Sequence, residues 1–226
     1  MNAPAAATNP AAPARRFPRL PFVIAGLGFL LSFAILIWAI QLRNTVVRHA
    51  AVTELPRLAV VPPFDVVSEQ GTPVTRASYA GRVWIADFIF TSCGGICPVM
   101  TSRMKALAAE LKDEPNVRFV SFSVDPERDT VEALARYAKE TGADPTRWNF
   151  LRTDRERIRA LVREGFKLPV EDADPKAAEP ILHSSRFVLV DAEGTIRGWY
   201  DSEDAGKRNL LVRDARRLAA DAAGQR

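Results

Sequence analysis

The chain has 226 residues, of which 47% are apolar, which is enough for one domain of ordinary size with a hydrophobic core and an appendage. Its formal charge of +4 does not indicate a nucleic-acid-binding protein, because residues 1–42 contain three arginines and no acidic residue, and the remainder carries 28 basic against 27 acidic side chains. The two cysteines lie four positions apart, which excludes the multi-bridge scaffolds of small secreted proteins.

The N-terminal 42 residues predict a tail followed by a membrane anchor. Residues 1–19 begin with a run of Ala, Pro, Asn and Thr that has too little to bury, and we expect a disordered tail. Residues 20–42 are uncharged and as a helix would reach about 34 Å at roughly 1.5 Å per residue, which spans a bilayer. The run continues into polar sequence without a small-residue cleavage site, so we expect an uncleaved transmembrane anchor.

The charges beside this anchor do not decide its orientation, since three arginines precede it and Arg43, Arg48 and Arg57 follow it. The tighter clustering of the preceding arginines, and the ease with which a long C-terminal domain is translocated, favour a cytoplasmic N-terminus. We therefore expect a single-pass protein of a bacterial inner membrane with its C-terminal domain in the periplasm. Residues 43–60 are predicted to be a tether, in which His49 is interpreted as a solvated side chain.

Strand and helix patterns alternate over the remaining residues, 61–226. The predicted elements are a hairpin about Gln70-Gly71, a buried strand over 83–90, a helix after Pro98, a strand over 117–124, a helix capped by Asp129, a strand over 148–151, a helix about Ile158, a loop over 167–179, a hairpin of strands 186–191 and 195–200, and an amphipathic helix about Leu211. Met100 and Met104 are assigned to the core rather than to a metal site. This order predicts a three-layer α/β sandwich around a mixed sheet.

The pair Cys93 and Cys97 straddles the turn between a buried strand and the helix that follows it. Pro98 suits the first position of that helix, so Cys97 is predicted to cap it, and the helix dipole would lower the pKa of the thiol. Gly94 and Gly95 are expected to adopt backbone angles that other residues avoid. Because a disulfide across so short a loop would add little stability, the pair indicates redox chemistry or metal binding.

Two further side chains are predicted at the same edge of the sheet. His183 is the only histidine of residues 61–226 and precedes the strand over 186–191. Because we expect that strand to run antiparallel to the strand before Cys93, His183 would meet the edge that Cys93 leaves. Asp125 leaves the next strand at this edge, which is the usual place for ligand sites. A lone histidine is more often structural, so the residues alone leave a metal site and a thiol–disulfide site both open.

Three segments, FTSCGGICPVM, SVDPERDT and LHSSRFVLVDAEG, in this order behind one N-terminal anchor, resemble the SCO/SenC family of copper chaperones for cytochrome c oxidase assembly over about residues 60–221. The resemblance implies a thioredoxin-like fold, Cys93 and Cys97 as thiolate ligands, His183 as the imidazole ligand, and Asp125 as a nearby carboxylate that influences the site. It further implies Cu(I) or Cu(II) as the metal and the copper-accepting subunit of cytochrome c oxidase as the partner, with an upstream copper donor and a thiol reductant. Soft thiolates favour Cu(I), whereas zinc would usually seek a fourth ligand.

A membrane-anchored thiol–disulfide oxidoreductase without metal transport is the alternative function. Redox thioredoxins, however, use a two-residue spacer and a proline directly before the facing strand, where this chain has Ser184 and Ser185. A peroxide-reducing enzyme would carry a threonine where this chain has Phe90, and a purely structural membrane protein would leave the cysteine and histidine motifs without a purpose. We therefore expect a metallochaperone rather than an enzyme. The family often has a proline and then an acidic or polar residue in place of Gly94 and Gly95.

Overall fold

The structure is a computed structural model that describes residues 32–41, 54–168 and 184–224. The chain divides into two compact units, the first ending at Glu54 and the second beginning at Leu55. In the first unit, residues 32–41 are helical and are named α1 here. Within the described ranges, no helix is both long and apolar enough to cross a membrane. The tail over 1–19 and most of the anchor over 20–42 lie outside the described residues, and both stay predictions.

An eight-stranded mixed sheet forms the centre of the second unit. Its strands are β1 (Ala59–Val60), β2 (Asp65–Ser68), β3 (Pro73–Thr75), β4 (Val83–Ile89), β5 (Val117–Ser123), β6 (Trp148–Arg152), β7 (Arg186–Val190) and β8 (Thr195–Asp201). They are arranged in the order β1-β8-β7-β4-β5-β6-β2-β3. The strand β5 pairs in parallel with β4 and with β6, and the remaining neighbours in this order pair antiparallel.

The two central strands follow directly from their apolar sequences. All seven residues of β4 are buried, as are six of the seven in β5, which is typical of strands covered on both faces. These strands, β6, and the hairpins β2–β3 and β7–β8 confirm the corresponding predictions. The antiparallel pairing of β7 with β4, which sets Ala86 opposite Val188, confirms the predicted direction of the strand that leads away from His183.

Helices cover both faces of the sheet. They are a 3-10 turn (Arg76–Tyr79), α2 (Ile96–Glu110), α3 (Val131–Thr141), α4 (Arg155–Ala160) with a π-helical continuation (Leu161–Gly165), and α5 (Ala205–Gly224). On one face α3 packs Tyr137 against Phe150, and the α5 residue Asp214 accepts a hydrogen bond from the hydroxyl of Tyr200 at 2.8 Å. On the other face Phe166, just after the π-helical turn, packs against Trp84 and Phe88. The predicted three layers are confirmed.

The helix α2 supplies much of the core beside β4. Met100 and Met104 are completely buried in it, which confirms their assignment to the core. Full burial of a side chain of this size contributes about 1.5–3 kcal/mol. Because these methionines anchor α2 against the sheet, they also fix the position of its first turn, which carries Cys97.

The start of α2 differs from the prediction. The helix begins at Ile96 after Gly95, so Cys97 lies in its first turn and is not its cap. Pro98 lies in the same turn, where its missing N–H costs little, because the first N–H groups of a helix have no partner within it.

The start of α3 also differs from the prediction, because its cap is Thr130 rather than Asp129. The hydroxyl oxygen of Thr130 accepts a hydrogen bond from the backbone N–H of Ala133 at 3.2 Å. The carboxylate of Asp129 is buried and receives its hydrogen bonds from the loop before Cys93 and from the end of β5.

The structure differs from the predicted tether over 43–60 in its last six residues. In this segment β1 pairs with β8, and the buried guanidinium of Arg197 donates hydrogen bonds to the carbonyls of Leu55 and Pro56, the latter at 3.0 Å. The same guanidinium pairs with Asp191 at 2.9 Å. Residues 55–60 therefore belong to the compact domain, because tertiary contacts fix a strand too short to show a pattern in the sequence.

Candidate functional site

Cys93 and Cys97 lie together at the carboxyl end of β4, where the chain turns into α2. Cys93 is 6% exposed and Cys97 is completely buried, and both are free cysteines. The backbone N–H of Cys93 donates to the carbonyl of Phe90 at 3.3 Å, which closes the turn after the strand. The structure thus brings the two predicted thiols together at the predicted edge of the sheet.

The sulfur of Cys93 takes the place of a helix cap. Gly95 is the N-cap residue of α2 and has no side chain that can accept a hydrogen bond. The backbone N–H of Cys97 donates instead to Sγ of Cys93 at 3.4 Å. This contact satisfies one of the N–H groups that a helix start leaves without a partner. It also ties the two cysteines together through one hydrogen bond.

The prediction that the helix start lowers the pKa of Cys97 is wrong. Burial raises the pKa of this thiol well above its ordinary value, and the nearby Cys93 and Asp87 act in the same direction. Desolvation penalises a thiolate more than the partial charge of one helix end can offset. Cys97 is therefore a protonated thiol at neutral pH, and metal binding there has to displace a proton.

The sequence predicted that Gly94 and Gly95 adopt backbone angles that other residues avoid, and Gly95 confirms this, because its φ of −109° and ψ of −110° lie outside both the β region and the right-handed α region. Gly94 does not have a positive φ. A Cβ atom added at Gly94 would meet no heavy atom within 4 Å. Local geometry thus does not require glycine at position 94.

Asp125 lies two residues after the end of β5 and is buried. Its carboxylate forms an ion pair with Arg128 at 3.4 Å, in which Arg128 is largely exposed. Across residues 32–41, 54–168 and 184–224, no group of three His, Cys, Asp or Glu side chains is placed to hold a metal ion. The described residues therefore supply two sulfur donors for a metal ion, whereas the Asp125 carboxylate is paired with Arg128.

His183, the predicted imidazole ligand, lies outside the described residues, as does His49. The first described residue after His183 is Ser184, and the pairing of β7 with β4 runs the beginning of β7 toward the carboxyl end of β4. The backbone thus enters β7 at the edge from which Cys93 leaves β4. The role of His183 stays a prediction.

Asp87 is a buried polar residue near the thiols that the sequence reasoning missed. It lies in the middle of β4 opposite Ser121, and among the described residues neither carboxylate oxygen has a hydrogen-bond partner. Burial raises the pKa of Asp87 to about 7, and the neighbouring Ser121 hydroxyl opposes this only in part. The signal was present in the sequence, because Asp87 is the only charged residue in the apolar run VWIADFIF.

Two adjacent thiols at the edge of a sheet can bind a soft metal ion or close to a disulfide. Cysteine sulfur is the donor type that suits Cu(I), and the linked pair Cys93 and Cys97 fits that chemistry. The same two sulfurs can instead lose two electrons and two protons and join, as in thiol–disulfide exchange. The geometry therefore supports both functions that the sequence left open.

Comparison with known proteins shows which family this chain resembles. The model of the family SCO1/SenC matches residues 52–220. The SCO1 protein homolog of Bacillus subtilis (strain 168) is 34% identical over 158 residues, which cover 69% of this chain and 81% of the relative.

Solved structures agree with this assignment. BsSco, described as a member of the Sco family of cytochrome c oxidase assembly proteins with a disulfide switch, matches with a TM-score of 0.65 and 33% identity, over 73% of this chain and 96% of that one. Arabidopsis thaliana ScoI, solved with copper bound, matches with a TM-score of 0.59 and 26% identity, over 70% and 99%. The mixed α/β fold is thus the thioredoxin-like fold of the Sco structures. With its fold, its paired thiols and the matched residues in agreement, the chain belongs to the SCO1/SenC family.

Proposed function

We propose that this chain is a copper-binding metallochaperone that delivers copper to the copper centre of cytochrome c oxidase. Copper is cargo in this proposal, so the site has to bind the ion and release it again. Two relatives support it: Arabidopsis ScoI was solved with copper bound, and BsSco is described as belonging to a family of cytochrome c oxidase assembly proteins. The partner is then the copper-accepting subunit of that oxidase.

The observation that carries the proposal is the pairing of the two thiols. Cys93 and Cys97 are joined by the 3.4 Å contact between N–H and Sγ, at the point where β4 ends and α2 begins. Two soft donors held side by side suit Cu(I). The raised pKa of the Cys97 thiol supports release, because a proton can compete with the metal for that sulfur.

His183 completes the ligand set in this proposal. It directly precedes Ser184, whose strand starts at the edge that Cys93 leaves. An imidazole nitrogen added to two thiolates makes a set that also holds Cu(II), which prefers nitrogen and oxygen donors. Asp125 acts on the site as a buried carboxylate and is not itself a ligand.

Copper titration of the full-length chain under reducing conditions, with zinc as competitor, tests the ligands. Cys97→Ser should abolish Cu(I) binding, and His183→Ala should lower Cu(II) affinity more than Cu(I) affinity. His49→Ala is the matched control and should change neither. If His183→Ala leaves both affinities unchanged in a chain with normal circular dichroism, His183 is not a ligand and the oxidoreductase becomes the better function. Binding of copper by the disulfide form as tightly as by the dithiol form would refute thiolate ligation.

Thiol–disulfide exchange with the partner is the second candidate, because the same two thiols can reduce a cysteine pair. In that reaction an S–S bond forms between Cys93 and Cys97, the partner's S–S bond breaks, and two electrons and two protons pass to the partner. The reduced, metal-free chain should then reduce the oxidised acceptor subunit. The copper-loaded chain should transfer metal to an acceptor that is already reduced. Metal transfer without any reduction supports the chaperone alone, and reduction without transfer supports the oxidoreductase alone.

A further inference from the structure

Asp129 is completely buried between the loop that leads to Cys93 and the end of β5. The backbone N–H and the hydroxyl of Thr91 both donate to its Oδ1, at 3.2 Å and 2.6 Å. The hydroxyl of Ser123 donates to its Oδ2 at 2.5 Å. One carboxylate therefore joins the loop after β4 to the end of β5.

The other side of Asp129 is fixed by its backbone. Its N–H donates to the carbonyl of Asp125 at 2.9 Å, and its carbonyl accepts from Nε of Arg152 at 2.8 Å. A second guanidinium nitrogen of Arg152 donates to the carbonyl of Pro126 at 3.0 Å. Ser123 accepts from the N–H of Asp125 at 3.2 Å while it donates to Asp129. The loop that carries Asp125 is thus a rigid support for the carboxylate.

We propose that Asp129 is a positioning residue of the thiol site, which holds Cys93 in place through Thr91, two residues before it. The inference rests on the proposed function only in taking Cys93 and Cys97 as the working pair. If the role of Asp129 were only to start α3, its side chain would cap that helix. The cap is Thr130 instead. The carboxylate of Asp129 instead receives hydrogen bonds from Thr91, two residues before Cys93, and from Ser123, at the end of the neighbouring strand β5.

The chemical consequence lies in the equilibrium between dithiol and disulfide. When the pair is oxidised by glutathione disulfide, Cys93 and Cys97 lose two protons and two electrons, their S–S bond forms, and the glutathione S–S bond breaks to give two glutathione thiols. A loop held by Asp129 keeps Sγ of Cys93 beside Cys97 and raises the effective concentration of one sulfur at the other. Releasing that loop makes the disulfide less favourable.

The test measures this equilibrium in glutathione buffers for the full-length chain and four variants. Asp129→Asn replaces an acceptor oxygen by an NH₂ group, and Thr91→Val removes the 2.6 Å hydrogen bond. Both should lower the equilibrium constant for disulfide formation by about tenfold, which is a potential about 30 mV less negative. Thr91→Ser keeps the hydroxyl and should restore the wild-type constant.

Asp191→Asn is the matched control. Asp191 is also a buried carboxylate that accepts backbone hydrogen bonds, from Glu193 and Thr195, and it lies beyond the end of β7, at the opposite end of the sheet from the thiols. Its variant should lose stability and keep the wild-type potential. This control separates a general loss of stability from loss of positioning.

The proposal is overturned if Asp129→Asn and Thr91→Val keep the wild-type constant, if Asp191→Asn shifts it as much, or if the wild-type pair never closes. Should Asp129→Asn fail to fold, the difference between Thr91→Val and Thr91→Ser decides. Copper affinity is measured separately on the same proteins. If Asp129→Asn and Thr91→Val show the expected shifts in potential but the wild-type chain binds no copper, the proposed function is contradicted and the positioning role is supported.

Discussion

At the scale of single residues, a substitution in the spacer between the cysteines tests the backbone geometry described for Gly94. Gly94 has no positive φ, and a Cβ there would meet open space. Gly94→Ala should therefore raise the free energy of unfolding by about 0.4–1 kcal/mol, because it restricts the unfolded chain without straining the folded one. Gly142→Ala is the control, since its φ of 71° should make that change cost about 1–2 kcal/mol. Urea denaturation measures both, and a loss of stability at position 94 would contradict the geometry.

Asp87 predicts a dependence of stability on pH. Its pKa is raised from 3.8 to about 7, so between these values the folded chain keeps a proton that the unfolded chain has lost. Stability should therefore fall as pH rises through this window, by up to about 1.4 kcal/mol per pH unit. Asp87→Asn should remove that contribution, and denaturation curves from pH 4 to pH 8 measure it. Asp65→Asn, an exposed strand carboxylate, should keep the wild-type slope. Equal slopes in all three proteins would show that Asp87 does not titrate in this range.

The cysteine pair and its edge of the sheet were predictable from single residues, but the chemical state of Cys97 was not. The strand pattern placed Cys93 at the end of β4, and the structure agrees. The pKa of Cys97 depends on how deeply α2 packs against β4, which no local pattern contains. Asp129 was misassigned for the same reason, because its partners Thr91 and Ser123 lie on other elements.

At the scale of elements, the strands were more predictable than the helix starts. Apolar runs indicate β4 and β5, since both faces of these strands are buried. The start of α2 was predicted two residues late, because Cys93 supplies from outside the helix the acceptor that a capping side chain would normally supply. The two-residue strand β1 was missed, because its pairing with β8 and its contacts to Arg197 are all tertiary.

The contacts of Arg197 predict how firmly residues 55–60 are held. This buried guanidinium bonds Asp191 and the carbonyls of Leu55 and Pro56. Arg197→Met should cost about 3–5 kcal/mol, because it removes the buried cation 2.9 Å from the Asp191 carboxylate and leaves only the half-exposed Arg57 at 3.9 Å. It should also expose the segment to proteolysis. Arg213→Met is the control, since its ion pair with Asp214 is largely exposed on the arginine side and should contribute less than about 1 kcal/mol. Similar losses of stability in both variants would show that Arg197 does not hold residues 55–60 in place.

At the scale of the whole molecule, the predicted arrangement is a cytoplasmic N-terminus, one transmembrane helix and a periplasmic thiol domain. This prediction is based on the uncharged run over 20–42 and on the cysteine pair, whose oxidation has to be controlled. A reporter fused after Arg226 should be active only when it functions outside the cytoplasm. Activity restricted to a cytoplasmic reporter would overturn this orientation. A second fusion at the N-terminus should give the opposite pattern.

The use of Cys93 as the acceptor for the first turn of α2 links helix stability to the occupation of the site. The sulfur that receives the N–H of Cys97 is the same atom that would bond to copper or to the other sulfur. Whatever binds that sulfur changes how well it accepts the hydrogen bond, so the rate at which the Cys97 amide exchanges with solvent should change as well. Amide hydrogen exchange at this one backbone position therefore reports whether the sulfur is bound to another atom.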